Sequence, residues 1–180
     1  MFRGVLVLNG VSSAGKTSIA RCFQHIAPEP WLLTGIDALL LSLPLRLRHS
    51  EAGLMVKDDG TVVVGPEFHA PERAWMLGVA ATARAGTNVI VDDVFLGGAA
   101  SQARWRDALG DVPVQFVAVR CATEVASGRE LARGDRVVGL AEWQAPRVHE
   151  GVDYDFEVDT TSTESLACAG AIAVYVAAAP

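Results

Sequence analysis

The sequence predicts an α/β fold in which a five-stranded parallel sheet lies between helices on both faces. Short β-rich runs alternate along the chain with segments of helical periodicity, as expected for parallel strands joined by crossover helices. The first of these runs, residues 5–8, is apolar throughout, which is typical of a buried strand. With 180 residues, 51% of them hydrophobic, the chain is long enough for one domain, residues 1–180, with a substantial core.

The alternation gives the elements in order. We expect strands at residues 4–9, 31–34, 88–92, 114–120 and 155–159. We expect helices at residues 16–26, 37–43, 66–85, 99–109, 122–132, 137–149 and 162–178. Asp58-Asp59-Gly60 lies between two apolar runs and is a strong hairpin-turn signal. Because this hairpin interrupts the β/α alternation, residues 51–64 are predicted to be an insertion over the carboxyl edge of the sheet.

The loop after the first strand carries the most informative motif in the chain. Residues 10–17 fit the phosphate-binding pattern G-x-x-x-x-G-K-[ST] at every fixed position, between a predicted strand and a predicted helix. Glycines let the backbone curl so that N–H groups and the helix N-terminus face phosphate oxygens. Lys16 is then predicted to reach the β- and γ-phosphates and Thr17 to bind Mg²⁺. The predicted nucleotide-binding residues of this loop are Gly10, Val11, Ser12, Ser13, Ala14, Gly15, Lys16, Thr17 and Ser18.

Charge and cysteine content exclude several classes of protein. The net charge is −6, which argues against a general nucleic-acid binder because such proteins need a basic surface. The three cysteines are odd in number and widely spaced, so neither a disulfide framework nor a zinc site is predicted. No apolar stretch is long enough to span a membrane. We therefore expect a cytoplasmic protein that does not act on membranes or nucleic acids.

Acidic residues follow two of the predicted strands. Asp92 and Asp93 end an apolar run, where a carboxylate can hold Mg²⁺ beside a phosphate loop or can serve as a helix cap. Neighbouring strand residues face opposite ways, and this favours Asp92 as the single metal residue. Asp37 follows the second strand and is either an N-cap or a base that accepts the proton of an attacking hydroxyl. In open α/β sheets ligands bind at this carboxyl edge, so these residues are expected to converge on one site.

An arginine-rich segment, residues 128–137, is the third candidate feature. Arg129 and Arg133 are one helical turn apart, and Gly134 allows a bend that would turn Arg136 towards the same place. Several guanidinium groups suit the charge on a transferring phosphoryl group, which favours a lid over the phosphate loop. The alternative is a solvated helix face with local ion pairs.

Together these segments resemble the chloramphenicol phosphotransferase family over almost the full length of the chain. The resemblance is carried by Leu8 to Lys16, Gly35-Ile36-Asp37, and residues 65–68, 91–98, 129–136 and 149–155. It implies a P-loop kinase-like three-layer sandwich that transfers the γ-phosphate of ATP to the primary hydroxyl of chloramphenicol. Asp37 then matches the general base, Lys16 and Thr17 the phosphate and metal residues, and Arg133 and Arg136 the phosphate-facing arginines, while Arg129 is assigned to the nucleotide.

The resemblance is weakest at residues 39–64, so the acceptor is less well specified than the reaction. The expected partner is a small hydroxylated antibiotic, with homo-oligomerisation left open. Apolar residues of this segment, including Leu43, Leu45, Leu54 and Val56, favour a neutral or weakly polar acceptor over a polycationic aminoglycoside. The alternatives are an O-kinase of another antibiotic or metabolite, for example a hygromycin-A-like compound, and a non-catalytic nucleotide-binding module.

Overall fold

The protein, described here by a computed structural model that covers residues 2–134 and 137–178, contains the predicted parallel sheet. Its strand order is β2-β5-β1-β6-β7, with all neighbours parallel. The strands are β1 (Val5–Asn9), β2 (Trp31–Gly35), β5 (Asn88–Asp93), β6 (Val114–Arg120) and β7 (Phe156–Asp159). Strands β3 (Leu54–Val56) and β4 (Val62–Val64) form the predicted antiparallel hairpin. The predicted α/β fold is therefore confirmed.

The helices follow the strands along the chain. They are α1 (Lys16–Ile26), α2 (Ile36–Ser42), α3 (Leu45–Arg48), α4 (His69–Arg84), α5 (Ala99–Leu109), α6 (Thr123–Arg133), α7 (Leu140–Gln144) and α8 (Ser165–Ala178), with a 3-10 turn at Pro66–Phe68 before α4. Helix α3 is not predicted from the sequence, and α8 begins three residues later than predicted. No helix within residues 2–134 and 137–178 is long and apolar enough to cross a membrane.

The helix predicted at residues 137–149 is wrong over most of its length. Gly139 has a φ of 92° and lies in the left-handed region, so a right-handed helix cannot run through it, and α7 begins at Leu140. Pro146 has no N–H to donate to the helical ladder, and the chain continues in turns as far as Gly151. The segment is therefore a five-residue helix between two interruptions.

The central strand explains how the layers assemble. Leu6 and Leu8 of β1 face a cluster that includes α1 and α8, whereas Val5 and Val7 face a cluster that includes α4 and α5. All four side chains are fully buried, as the period-two alternation of a strand covered on both faces requires. A third cluster, formed by Leu39, Leu43, Leu47, Leu54 and Phe68, joins the hairpin to α2 and α3. The hairpin is thus held at one side of the carboxyl edge of the sheet.

Candidate active site

The predicted phosphate loop links the end of β1 to the start of α1 at the centre of the sheet. A β carbon on Gly10 would lie only 2.4 Å from the carbonyl oxygen of Val119, so this position admits only glycine. Ser13 adopts a φ of 58°, in the left-handed region that an L-residue seldom occupies. Its hydroxyl is buried without a hydrogen-bond partner. The backbone is therefore curled tightly between the strand and the helix, as the motif requires.

Asn9 is the last residue of β1 and comes directly before the phosphate loop. Its Nδ2 donates to the carbonyl of Val148 at 2.6 Å and to the hydroxyl of Tyr154 at 2.5 Å, and its Oδ1 accepts from the N–H of Phe95 at 2.8 Å. The same Tyr154 hydroxyl lies 2.6 Å from Nδ1 of His149. Burial lowers the pKa of His149 to about 4 and raises the pKa of Tyr154 to about 12. Both groups are therefore neutral near pH 7, and their hydrogen-bond network anchors Asn9 at the end of β1, directly before the phosphate loop.

Lys16 is folded back over the loop. Its ammonium donates to the carbonyls of Gly10 at 3.0 Å and Val11 at 2.9 Å, and it lies 3.7 Å from a carboxylate oxygen of Asp92. The side chain is only 7% exposed and lines the first of two neighbouring cavities, so its positive charge is largely shielded from solvent. A buried cation interacts more strongly with an anion than an exposed one, which suits it to binding a phosphate.

Asp92 and Asp93 diverge at the end of β5, as strand alternation predicts. The hydroxyl of Thr17 donates to the Asp92 carboxylate, which brings together the two residues predicted to hold a metal. Asp93 instead accepts hydrogen bonds from the indole N–H of Trp105 and the backbone N–H of Val94, each at 2.7 Å. Burial raises the pKa of Asp93 to about 6. Asp93 therefore ties β5 to α5, while Asp92 faces the phosphate loop.

Asp37 lies in the first turn of α2, immediately after β2. The residue before the helix is Gly35, so the N-cap interpretation of Asp37 is wrong. Gly35 pairs with Asp92 in the sheet, which places the start of α2 beside the Asp92 carboxylate. Asp37 is exposed and lines the same cavity as Lys16, Thr17 and Asp92.

Two of the three predicted lid arginines fall within the described residues. Arg129 donates through Nη2 to the carbonyl of Thr160 at 2.7 Å and through Nη1 to the Thr160 hydroxyl at 3.4 Å. Arg133, one turn later on α6, lines the edges of two cavities. Arg136 lies outside the described residues. The arginine-bearing helix α6 is thus placed beside the phosphate loop, with Arg129 tied to the loop that follows β7.

The two cavities meet at the phosphate loop. Both are lined by Ser13, Gly15, Ser18 and Arg133. The first is lined by Lys16, Thr17, Asp37, Asp92 and Arg133, and it extends under the hairpin. Its apolar wall there includes Ile36, Leu40, Leu54, Val56, Val62, Phe68 and Met76. The second runs between α6 and the loop after β7, and is lined by Arg129, Ala132 and residues 160–165. A ligand lying along the phosphate loop can therefore reach both cavities.

The wall of the first cavity also contains a partly buried ion pair that the sequence does not predict. Glu72 on α4 is 7% exposed, and its carboxylate accepts a hydrogen bond from Nη2 of Arg104 at 3.2 Å. The second carboxylate oxygen of Glu72 lies 3.1 Å from Nε of Arg104. That Nε–H is not aligned for a hydrogen bond. Arg104 also donates to the hydroxyl of Ser101 at 3.2 Å. No local pattern in the sequence marks these residues, because they are brought together only by the packing of α4 on α5.

Thr17 and Asp92 are the residues whose oxygen atoms lie together at the predicted metal position. Within residues 2–134 and 137–178, no group of three or more His, Cys, Asp or Glu side chains is placed to hold a metal ion. Thr17 and Asp92 together offer a hydroxyl and a carboxylate. Such a pair fits Mg²⁺ when phosphate groups and water complete its octahedron, and it does not fit zinc, which needs three or four protein ligands.

The chain is similar to several proteins of known name or structure. Two Mycobacterium tuberculosis proteins, from strains CDC 1551 and H37Rv and each named "Putative O-phosphotransferase", are 36% identical over 179 residues, covering 88% of this chain and 76% of theirs. A sugar kinase from Janibacter sp. superposes with a TM-score of 0.74 at 19% identity, over 99% of this chain and 97% of that chain. Mycobacterium tuberculosis APS kinase, in complex with AMPPNP and APS, superposes with a TM-score of 0.64 at 14% identity, over 98% and 99% of the two chains.

The two structural likenesses establish a fold shared with P-loop kinases. A family model described as chloramphenicol phosphotransferase-like protein matches residues 4–177. The resemblance drawn from the sequence is therefore confirmed, and the chain belongs to the chloramphenicol phosphotransferase-like family.

Proposed function

We propose that the protein is an ATP-dependent O-phosphotransferase that transfers the γ-phosphate to a hydroxyl of a small antibiotic, with chloramphenicol as the leading acceptor. The observation that carries this proposal is the position of Lys16, Asp37 and Asp92 around one cavity at the carboxyl edge of the sheet. A phosphate-binding cation, a carboxylate base and a metal-binding carboxylate are the groups that phosphoryl transfer to a hydroxyl needs. Family membership and the names of the Mycobacterium tuberculosis relatives support the same reaction class.

The two cavities support an arrangement in which nucleotide and acceptor approach from opposite sides. The nucleoside would occupy the second cavity beside Arg129, and the triphosphate would follow the N–H groups of the loop towards Lys16. The γ-phosphate would then reach the first cavity, where Asp37 lies. The AMPPNP held by the structurally similar APS kinase supports ATP as the nucleotide.

Thr17 and Asp92 are the residues that would hold Mg²⁺. A magnesium ion held there would neutralise part of the negative charge of the phosphate groups. Thr17 contributes a hydroxyl oxygen from the first turn of α1, and Asp92 contributes a carboxylate from the adjacent strand. Their existing hydrogen bond keeps both oxygens at the same place beside Lys16.

The transfer step follows from these positions. The acceptor hydroxyl oxygen forms a bond to the γ-phosphorus while the bond between that phosphorus and the β,γ-bridging oxygen breaks, and ADP leaves. The hydroxyl proton passes to the carboxylate of Asp37. Lys16 and Arg133 stabilise the negative charge spread over the transferring group, with Arg136 assigned to the same role from the sequence. Asp37 then releases its proton to solvent, to which it is exposed.

The wall of the first cavity supports a neutral, largely apolar acceptor. Leu54 and Val56 of the hairpin line it, as the sequence predicts, whereas Leu43 is buried in the neighbouring cluster and Leu45 is 69% exposed. The residues that the hairpin supplies to this wall are all apolar, and one acidic residue of the cavity, Glu72, already binds Arg104. An apolar wall with a few fixed polar groups binds an aromatic antibiotic more readily than a polycationic aminoglycoside.

The proposal is tested by measuring ADP release from ATP with chloramphenicol, a hygromycin-A-like compound, kanamycin or no acceptor, and by mass spectrometry of each acceptor. We expect chloramphenicol to stimulate ADP release and to gain one phosphate. Phosphorylation of the hygromycin-like compound alone would support the proposed reaction but show that chloramphenicol is not the acceptor. Phosphorylation of kanamycin without chloramphenicol would contradict the proposed acceptor class. ATP binding with no phosphorylated product from any acceptor would favour a non-catalytic nucleotide-binding module.

A further inference from the structure

The short helix α7 contacts three parts of the site that are far apart in the sequence. Its last residue, Gln144, is 4% exposed and accepts a hydrogen bond through Oε1 from the backbone N–H of Ser12 at 2.6 Å. That bond joins residues 132 positions apart and fixes an N–H in the middle of the phosphate loop. Gln144 also lines the first cavity, so it contacts both the phosphate loop and the cavity beside that loop.

The start of α7 is held by the arginine-bearing helix α6. Glu130 lies between Arg129 and Arg133 in the sequence and is 1% exposed. Its carboxylate accepts hydrogen bonds from the N–H of Gly139 at 3.1 Å and the N–H of Ala141 at 3.3 Å. A buried carboxylate needs hydrogen-bond donors, and here the donors are N–H groups at the start of a helix, which have no acceptor within the helix itself. Helices α6 and α7 are therefore linked through the single side chain of Glu130.

The third contact comes from the hairpin. A β carbon on Gly60, in the turn between β3 and β4, would lie 2.4 Å from the carbonyl carbon of Gly139 and 2.6 Å from the nitrogen of Leu140. A β carbon on Gly139 would lie 3.1 Å from the carbonyl oxygen of Asp59. The two backbones therefore touch directly, without intervening side chains. Leu140, the first residue of α7, lines the first cavity together with Leu54 and Val56 of the hairpin.

We propose that Gln144 is a positioning residue for the phosphate loop, and that the Gly60–Gly139 contact sets its place through α7. Because α7 is five residues long, a displacement at Leu140 reaches Gln144 within little more than one helical turn. A ligand that fills the first cavity contacts Leu140 and the hairpin, so its binding is coupled to the geometry of the nucleotide loop. This role in catalysis rests on the proposed function, whereas the contact pathway itself does not.

Amide hydrogen exchange at Ser12 tests the pathway without nucleotide or acceptor. Gln144→Met removes the acceptor oxygen, and exchange at the Ser12 N–H should become about tenfold faster, as expected for the loss of one hydrogen bond. Gln144→Glu keeps an oxygen for that N–H and should restore most of the protection. Gly60→Ala should accelerate exchange at Ser12 as well, although it lies in the hairpin.

The matched control is Gly86→Ala. Gly86 has a φ of 93°, close to the 81° of Gly60, but a β carbon there would meet nothing within 4 Å. Gly86→Ala therefore introduces backbone strain similar to that of Gly60→Ala but no steric contact with another segment. If Gly60→Ala leaves exchange at Ser12 as slow as Gly86→Ala does, the proposed pathway is wrong. Should Gly60→Ala fail to fold, Gly139→Ala, whose predicted contact is milder, decides between the same two outcomes.

Nucleotide binding then tests the consequence for function. Gln144→Met and Gly60→Ala should weaken AMPPNP binding by several-fold and lower kcat more than they raise KM for chloramphenicol, while Gly86→Ala should do neither. Accelerated exchange at Ser12 with unchanged AMPPNP affinity and kcat would overturn the positioning role. A wild-type protein that binds no AMPPNP, or phosphorylates no acceptor, would refute the proposed function instead, and the exchange measurement keeps the two failures apart.

Discussion

The hydroxyl of Thr17 donates a hydrogen bond to the carboxylate of Asp92, and this contact joins the first turn of α1 to the carboxyl end of β5. The sheet register places Asp92 opposite Leu8, two residues before the phosphate loop. The contact therefore depends on the pairing of two strands that are more than 80 residues apart in the sequence. It brings together two oxygen ligands that suit magnesium and a lysine that suits phosphate.

Asp92→Asn should raise the Mg²⁺ concentration needed for half-maximal activity by about 10–100-fold, because it removes a negatively charged ligand beside the metal. The matched control is Asp93→Asn, which changes the adjacent carboxylate on the opposite side of the strand and should leave the Mg²⁺ dependence unchanged. Magnesium titration of the initial rate measures both. If Asp92→Asn leaves the Mg²⁺ titration unchanged, Asp92 does not bind the metal, and Asp93 or water alone would do so.

Asp93 gives a prediction about stability and pH. Burial raises its pKa from 3.8 to about 6, so between these values the folded protein binds more protons than the unfolded chain. Its contribution to the free energy of unfolding therefore falls as the pH rises from about 4 to about 6, by roughly 3 kcal/mol at most. The difference in unfolding free energy between wild type and Asp93→Asn, measured by urea denaturation across this range, should show that slope. A difference independent of pH would contradict the assignment.

Lys16→Ala should lower kcat/KM for ATP by at least about 10²–10³-fold, because the γ-phosphate loses a buried positive charge in the ground state and the transition state. The chain offers a matched control in Lys57→Ala, since Lys57 is its other lysine and is exposed in the hairpin turn. Circular dichroism should show both variants folded. Retention of most of the activity by a folded Lys16→Ala protein would contradict the phosphate-loop assignment.

Arg133→Ala and Arg136→Ala should each lower kcat more than they raise KM for the acceptor. Guanidinium groups beside the transferring phosphoryl group bind its spread charge most strongly in the transition state. Arg73→Ala, an exposed arginine on α4 that lines neither cavity, serves as the control. If steady-state kinetics show a change in the acceptor KM alone, these arginines belong to acceptor binding.

Much of this arrangement can be predicted from sequence because its signals are local. The phosphate loop is one contiguous motif between an apolar strand and a helix, and the opposite facing of Asp92 and Asp93 follows from strand periodicity. The hairpin turn at Asp58-Asp59-Gly60 is also a local signal. These features therefore lie where the sequence places them.

Features that depend on distant packing could not be predicted in this way. The pairing of Glu72 with Arg104 and of Gln144 with Ser12 joins separate elements, and neither pair follows a sequence pattern. The overlong helix predicted at residues 137–149 shows a different failure. Its apolar periodicity continues across Gly139 and Pro146, whose backbone restrictions override the pattern.

The most direct test of the proposed reaction is Asp37→Asn. The substitution keeps the size of the side chain and removes its capacity to accept the hydroxyl proton. Asp58→Asn, in the exposed hairpin turn, is the control for the loss of one negative charge. The measurement is kcat for phosphorylation of chloramphenicol, with AMPPNP affinity determined on the same proteins. General-base assistance contributes typically about 10²–10⁴-fold to a rate.

We predict that Asp37→Asn lowers kcat by about 10²-fold or more while AMPPNP binds as it does to the wild type. Asp58→Asn should leave both quantities unchanged. An Asp37→Asn protein with nearly normal kcat would contradict the proposed role of Asp37 as the base that activates the acceptor hydroxyl.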